Sequence, residues 1–471
     1  VLAKCKHLPR VRGLADPKYL PHAGNPRSRP AVAVRMPRLR NSVVIAGTLV
    51  TGAVLSACSD PAPTPAPVPP APQPDPAAAQ QKIPDAFDAA KGWSAVGADG
   101  GKLSDPVLAA RAGAVLFAEA SNDGKTVRVI AKDEKTGADR WTSAPVELPE
   151  EETNYHDVST RLFETAKDGK DYAVLASTGL EGGDAVNKAK KVTHLDVFDI
   201  GATPDGGKAA RRIVVPAEAS RFAVQDGGTA LVEVDRATAV ADVSTGQVAT
   251  YEQQSPALKA PKPCEHDIGD CNLNLTVPGA TAKGALVQGF RAFWTPGGWF
   301  SGDVIPPGAK ANVGSADVRT YGTPDGQHVL AAWPVDDDAT VRMWAVHDAA
   351  TGQVLASVRC AQSTVDDRDS RQPQPFLDPG GRYLVAGLVV FDLEAKKGSC
   401  FAETETRKAV KVESVGPDGI AYGTSEAPVR IDLSTGEAKP LAEETSLPAA
   451  IDRNVAVVDK ESEGVYVYPR R

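Results

Sequence analysis

Short apolar runs separated by tight turns, and one turn motif that returns at nearly constant spacing, predict an all-β domain closed into a ring of four-stranded sheets, an eight-bladed β-propeller. The runs are Ala114 to Ala118, Tyr172 to Ser177, Ala230 to Asp235, Ala285 to Phe290, His328 to Trp333, Tyr383 to Gly387, Ile420 to Thr424 and Asn454 to Asp459. Most follow an Asp/Gly/Pro turn such as Asp226-Gly227-Gly228, Pro324-Asp325-Gly326 or Pro417-Asp418-Gly419, which reads as strand, tight turn, strand. The second signal is Asp-x-x-Thr-Gly, at Asp133/Thr136/Gly137, Asp242/Thr245/Gly246, Asp348/Thr351/Gly352 and Asp432/Thr435/Gly436, with degenerate copies near Asp199 and Asp392. Its Asp and Thr side chains bond turn amides, and its Gly takes the positive φ that ends a hairpin. Asp348 to Asp392 is 44 residues and Asp392 to Asp432 is 40, the period of one propeller blade. Reading each run as an inner strand gives eight units; seven is the alternative, because one run could belong to an insertion.

The segment Ala131-Lys132-Asp133-Glu134-Lys135-Thr136-Gly137-Ala138-Asp139-Arg140-Trp141 resembles the repeat of quinoprotein-like β-propellers. The resemblance implies that Trp141 packs between adjacent blades. The other copies keep Asp, Thr and Gly but lack the Trp, so the likeness is to the blade and its turn, across roughly residues 95 to 470. The last unit, Asn454 to Tyr468, supplies two strands, and an early strand such as Trp93 to Val96 is expected to complete that blade and remove an open sheet edge.

Ahead of the propeller (91–471), residues 1–35 are basic and without apolar periodicity, and read as a leader arising from a start assigned too early, with translation beginning at Met36. Arg38 and Arg40 precede an apolar, small-residue run, Ser42 to Ala57, ending Leu55-Ser56-Ala57-Cys58. That order is the layout of a secretory signal, and residues 36–58 resemble a bacterial lipoprotein signal with its lipobox. The resemblance implies a lipid on Cys58 and an extracytoplasmic location, at the cell surface or in a periplasm. A spanning helix needs about 20 apolar residues, and this run is shorter and broken by Gly47, Thr48, Thr51 and Gly52. Residues 58–90 alternate proline with small residues, which favours an extended, semi-rigid tether.

Charge narrows the partners. Ten basic side chains and one acidic one precede Cys58, leaving 42 basic and 59 acidic, a net charge near −17 for the remainder against −8 for the whole chain. Such a surface repels nucleic-acid phosphates and anionic headgroups, so no nucleic-acid partner is expected and membrane association must come from the lipid.

Apart from Cys5 and Cys58, the cysteines are Cys264, Cys271, Cys360 and Cys400. Four cysteines outside a reducing compartment allow three pairings; Cys264 with Cys271 and Cys360 with Cys400 are favoured, the second pair lying one blade period apart on successive outer strands. Cys264, His266, Asp270 and Cys271 fit no common zinc spacing, so no metal site is expected. Asp336 to Asp338 and Asp366, Asp367 and Asp369 read as solvated turns, and His156, His194, His328 and His347 are scattered with no nucleophile signature. Phe293, Trp294, Trp299 and Phe300 flank a Pro-Gly-Gly turn in a chain that is 6% aromatic. They are the candidate contact surface for a protein or carbohydrate partner, the competing reading being packing between blades.

Two functions follow. The first is a lipid-anchored binding or scaffolding module without catalysis or cofactor. The alternative is a dehydrogenase using pyrroloquinoline quinone and calcium, which the resemblance implies. Against it stand the absence of adjacent cysteines and of an assignable calcium-binding carboxylate set.

Overall fold

The computed structural model describes residues 75–95, 103–150, 160–202, 207–263, 270–311, 317–336, 340–361, 374–460 and 464–471. The leader, the signal with Cys58 and most of the tether lie outside them. Among the described residues no helix is long and apolar enough to cross a membrane.

The strands form eight separate antiparallel sheets. Blade 1 runs Val107–Ala109, Ala114–Ala120, Thr126–Asp133 and Asp139–Thr142. Blade 2 is Thr160–Lys167, Lys170–Glu181, Lys190–Asp199 and Arg211–Val215, and blade 3 is Arg221–Gln225, Thr229–Val234, Ala237–Asp242 and Val248–Glu252. Blade 4 has three strands, Thr276–Thr281, Gly284–Gly289 and Ala292–Trp294, followed by a bridge from Trp294 to Phe300. Blade 5 is Arg319–Gly322, His328–Pro334, Val341–Asp348 and Val354–Ala361; blade 6 is Phe376–Leu377, Tyr383–Ala386, Val389–Asp392 and Lys397–Cys400. Blade 7 is Lys411–Val415, Ile420–Thr424, Pro428–Asp432 and Glu437–Pro440. Blade 8 takes Ala450–Ile451, Val455–Lys460 and Gly464–Pro469 from the end of the chain and Trp93–Ala95 from its beginning.

First strands of successive blades approach one another and so surround the axis, while fourth strands such as Val248–Glu252 are largely exposed. The apolar runs fall on the second strand of each blade, one position further out than the sequence suggested. The reason is packing on both faces. Successive side chains of a strand point to opposite sides, and a second strand is covered on each side by the neighbouring blade. Leu116 packs toward blade 2 and Val115 and Phe117 toward blade 8; Leu175 faces blade 1 and Val174 faces blade 3. Each of the eight apolar clusters lies between two adjacent blades, so the ring is covered all the way round.

Closure follows the expected route with one correction. Trp93 pairs opposite Val467 and Ala95 opposite Val465, so the early strand is the outermost of blade 8. The chain end supplies three strands rather than two, because Ala450–Ile451 is too short to show alternation.

Cys360 and Cys400 are joined, linking the fourth strands of blades 5 and 6 with Cα atoms 5.4 Å apart. Closing a 40-residue loop is expected to stabilise the fold by about 4 kcal/mol through the unfolded chain. Replacing both cysteines by alanine should lower the urea midpoint accordingly; an unchanged midpoint would refute the assignment. Cys271 is also disulfide-bonded and fully buried; Cys264 and His266 lie outside the described residues.

Candidate ligand recess on one face of the ring

Two faces of the ring carry different chemistry. One holds the hairpins from first to second strand and from third to fourth strand, and the repeated motif belongs there. Asp133 Oδ1 accepts from the Thr136 amide and hydroxyl at 3.0 Å each, and Asp348 Oδ1 does the same with Thr351 at 2.7 Å each. Asp242 accepts from the Ser244 and Thr245 amides, and Asp432 from those of Ser434 and Thr435. Gly137, Gly246, Gly352 and Gly436 have φ of 69°, 80°, 75° and 74°.

The tryptophan that accompanies this turn comes from the preceding blade. Trp141 of blade 1 donates its indole N–H to Ile200 O, just after the third strand of blade 2, and stacks on Phe198. Trp93 of blade 8 donates to Glu134 O at 2.9 Å, and Trp299 of blade 4 donates to Ala349 O at 2.9 Å. The indoles of Trp93 and Trp299 lie over turn glycines: a Cβ on Gly137 would sit 2.7 Å from Trp93, and one on Gly352 2.6 Å from Trp299. In blade 2, Arg211 takes the place of the tryptophan, donating to Val243 O and Ser244 O across Gly246.

Phe293, Trp294, Trp299 and Phe300 therefore do not form a contact surface. They are 0%, 0%, 8% and 3% exposed. Trp294 donates to Leu258 O in the wall toward blade 3. Phe293 meets Trp299 and Trp333 edge-on at 5.4 and 5.7 Å in the wall toward blade 5. Among the described residues blade 4 has no fourth strand, and the hairpin folds back on its third strand through the Trp294–Phe300 bridge.

The histidines serve the fold. His347 is fully buried, with Nδ1 2.9 Å from Gly352 O and Nε2 accepting from the Trp333 indole; burial pushes it down to about 4. His328 pairs with Asp325 at 2.7 Å, and His194 is buried. His156, Asp337, Asp338, Asp366, Asp367 and Asp369 lie outside the described residues, while Asp336 pairs with Arg359. No group of three or more ligating side chains suits a metal among the described residues.

Buried carboxyl groups on this face escaped the sequence reading. Glu134 and Asp452, each 2% exposed, meet where blade 1 abuts blade 8, and Asn454 Nδ2 donates to Glu134 Oε1 at 2.7 Å. Burial, reinforced by the Asp452 carboxyl, pushes Glu134 up to about 7. Glu164 is pushed to about 7 by burial and by Asp226, against the pull of Arg111. Both acids bind their protons more tightly folded than unfolded. The stability they contribute is complete below about pH 4.5 and is lost as pH rises through about 7. Glu134→Gln should raise the melting temperature at pH 8 by a few degrees and leave it nearly unchanged at pH 5. Parallel melting curves of the two proteins across that range would refute the shift.

The opposite face carries the connections between blades and the hairpins from second to third strand. There a recess of about 380 Å³ opens between blades 3, 4 and 5, within the size range of small-molecule sites. Arg221 and Arg319, the first residues of the innermost strands of blades 3 and 5, stand on its walls, and both are exposed. Between them the blade 4 hairpin contributes Phe290 and Arg291, the latter at φ 58°. Arg291 Nε lies 2.8 Å from Asp317 Oδ1 and its guanidinium rests on the Phe290 ring. Gln288 locks this hairpin to blade 5: its Oε1 accepts from the Thr320 amide at 2.7 Å and its Nε2 donates to Gly289 O and Ala292 O. Tyr251, Asn274 and the carboxylates of Glu233 and Asp317 also line it. No sequence motif marks these residues, although Phe290 ends one of the apolar runs. The available signal was a basic residue opening an innermost strand, which only a known strand order makes visible.

Strand order and closure define the class as an eight-bladed β-propeller. No family model and no curated protein matches the chain. Solved structures similar to it include the β-propeller domain of the Trilobed protease from Pyrococcus furiosus, at 12% identity, covering 80% of this chain and 94% of that one, with a TM-score of 0.36. The Dos1 propeller is 10% identical over 80% of each chain, with a TM-score of 0.32. A europium-containing methanol dehydrogenase is 14% identical over 80% of this chain and 83% of that one, with a TM-score of 0.34. At these values the likeness carries no argument, and the fold rests on the strand order itself.

Proposed function

We propose that the chain is a binding module: a lipid-anchored, extracytoplasmic propeller that holds a protein or carbohydrate partner, without catalysis or cofactor. The observation that carries this reading is the recess between blades 3, 4 and 5, whose walls offer guanidinium, amide and phenol groups suited to holding a ligand. Its hairpin is fixed by Gln288 and Asp317 before any ligand arrives, and preorganisation of this kind lowers the cost of binding. Anchoring is supported by the order of residues from Met36 to Cys58. Cys58→Ser is expected to release the protein from membranes in fractionation; retention of the variant would refute lipidation. For the activity, the purified full chain is mixed with pyrroloquinoline quinone, calcium and an alcohol or sugar. No dye reduction is expected, and substrate-dependent reduction would establish the dehydrogenase instead.

A further inference from the structure

The ligand's charge can be taken from the recess. Arg221 and Arg319 are exposed on its walls, and no carboxylate lies within ion-pairing distance of either among the described residues. Elsewhere Arg111, Arg140, Arg212, Arg359, Arg382 and Arg470 are held by carboxylates. The exposed pair runs against the charge of the chain, which is net −8. Asp317, which lines the recess, is already engaged by Arg291. Glu233 lies opposite Arg221 in the strand register but forms no ion pair with it.

Arg161 and Lys411, near the starts of the innermost strands of blades 2 and 7, stand at the same end as Arg221 and Arg319. At the other end the hairpins bear Asp226, Asp325, Asp378, Asp418 and Asp452. Arg111, Lys167, Lys170 and Arg453 share that end with them, so the basic residues that count for the recess are those on its own walls.

From these observations we infer that the recess binds a small carboxylate-bearing ligand, a sugar acid being the form that suits it. A planar carboxylate takes paired N–H donors from guanidinium groups. Tyr251 and Phe290 on the wall offer ring surface to the apolar side of a sugar, and Asn274 offers amide contacts to hydroxyl groups. The inference deepens the binding-module reading and rests on it.

The test is calorimetric titration of the full chain with D-glucuronate, D-glucose and glucose 6-phosphate at low salt. Saturable binding of glucuronate, with glucose at least about tenfold weaker, is expected, since charge-assisted hydrogen bonds are the ones lost. Arg221→Gln and Arg319→Gln should each weaken glucuronate about tenfold. Lys408→Gln, on the exposed Lys408–Glu426 pair remote from the recess, should not change it. Both arginines are exposed, so their variants are expected to fold, and unchanged melting curves verify this. No saturable glucuronate binding, equal binding of glucose, or tighter binding of the phosphate overturns the carboxylate assignment. Any of these leaves partner binding elsewhere on the ring standing, whereas quinone-dependent dye reduction removes the underlying reading itself.

Discussion

Trp299→Ala is expected to destabilise the domain by about 3–5 kcal/mol, the cost of deleting a buried indole that no neighbour can replace. The ring stacks on His347 at 5.9 Å with planes 14° apart, meets Phe293 edge-on and donates to Ala349 O. Its removal opens a cavity between blades 4 and 5, where Phe293, Trp333 and Val329 are all fully buried. It also leaves the Ala349 carbonyl without that donor. The measurement is urea unfolding followed by far-UV circular dichroism, and a loss below 1 kcal/mol would show that the hairpin packs loosely. Gly352→Ala attacks the same contact from the other side, because its Cβ would lie 2.6 Å from Trp299 and its φ is 75°. The double variant should lose less than the sum of the two single losses, since deleting the indole removes the clash.

Trp93→Ala is expected to do comparable damage, about 3–5 kcal/mol, and to concentrate it at the closure. Trp93 is 8% exposed, donates to Glu134 O and covers Gly137. It sits on a strand of three residues, held besides by its pairing with Gly464–Pro469 and by Ser94 on Asp75. The strand's inner neighbour, Gly464–Pro469, would then present an unpaired edge, which is a template for association. Hydrogen exchange should show lost protection in Gly464–Pro469, with light scattering rising at higher concentration. Protection that persists would mean that the N-terminal segment is held by other contacts, among them the Ser94 amide on Asp75.

The turn motif was legible because it is written locally, and the closing strand because the last unit falls short of the repeat. Asp133, Thr136 and Gly137 satisfy one another within five residues, so their chemistry appears in the sequence as a pattern. The Cys360–Cys400 bridge was legible for a related reason: its positions differ by one blade period. The aromatic hairpin misled because composition shows that Phe293, Trp294, Trp299 and Phe300 cluster, and cannot show which side of the hairpin is covered. What covers Phe293 and Trp299 is blade 5, and what covers Trp294 and Phe300 is the wall toward blade 3 with Leu258 and Cys271, none of which is local.

The sequence by itself determined the all-β class, the blade period and the turn chemistry, since each rests on contacts among near neighbours or on a repeat, and it pointed to an early closing strand because the last unit falls short of the repeat. Only the tertiary structure decided that the apolar runs are second strands and that tryptophans dock on the next blade's glycine. It alone assembled the recess from Arg221, Arg291 and Arg319 and placed Asn454 on Glu134 across 320 residues. The physical reason is that blades are joined side by side through side chains. Charge and burial at their seams depend on residues a blade or more apart, and no local pattern records them.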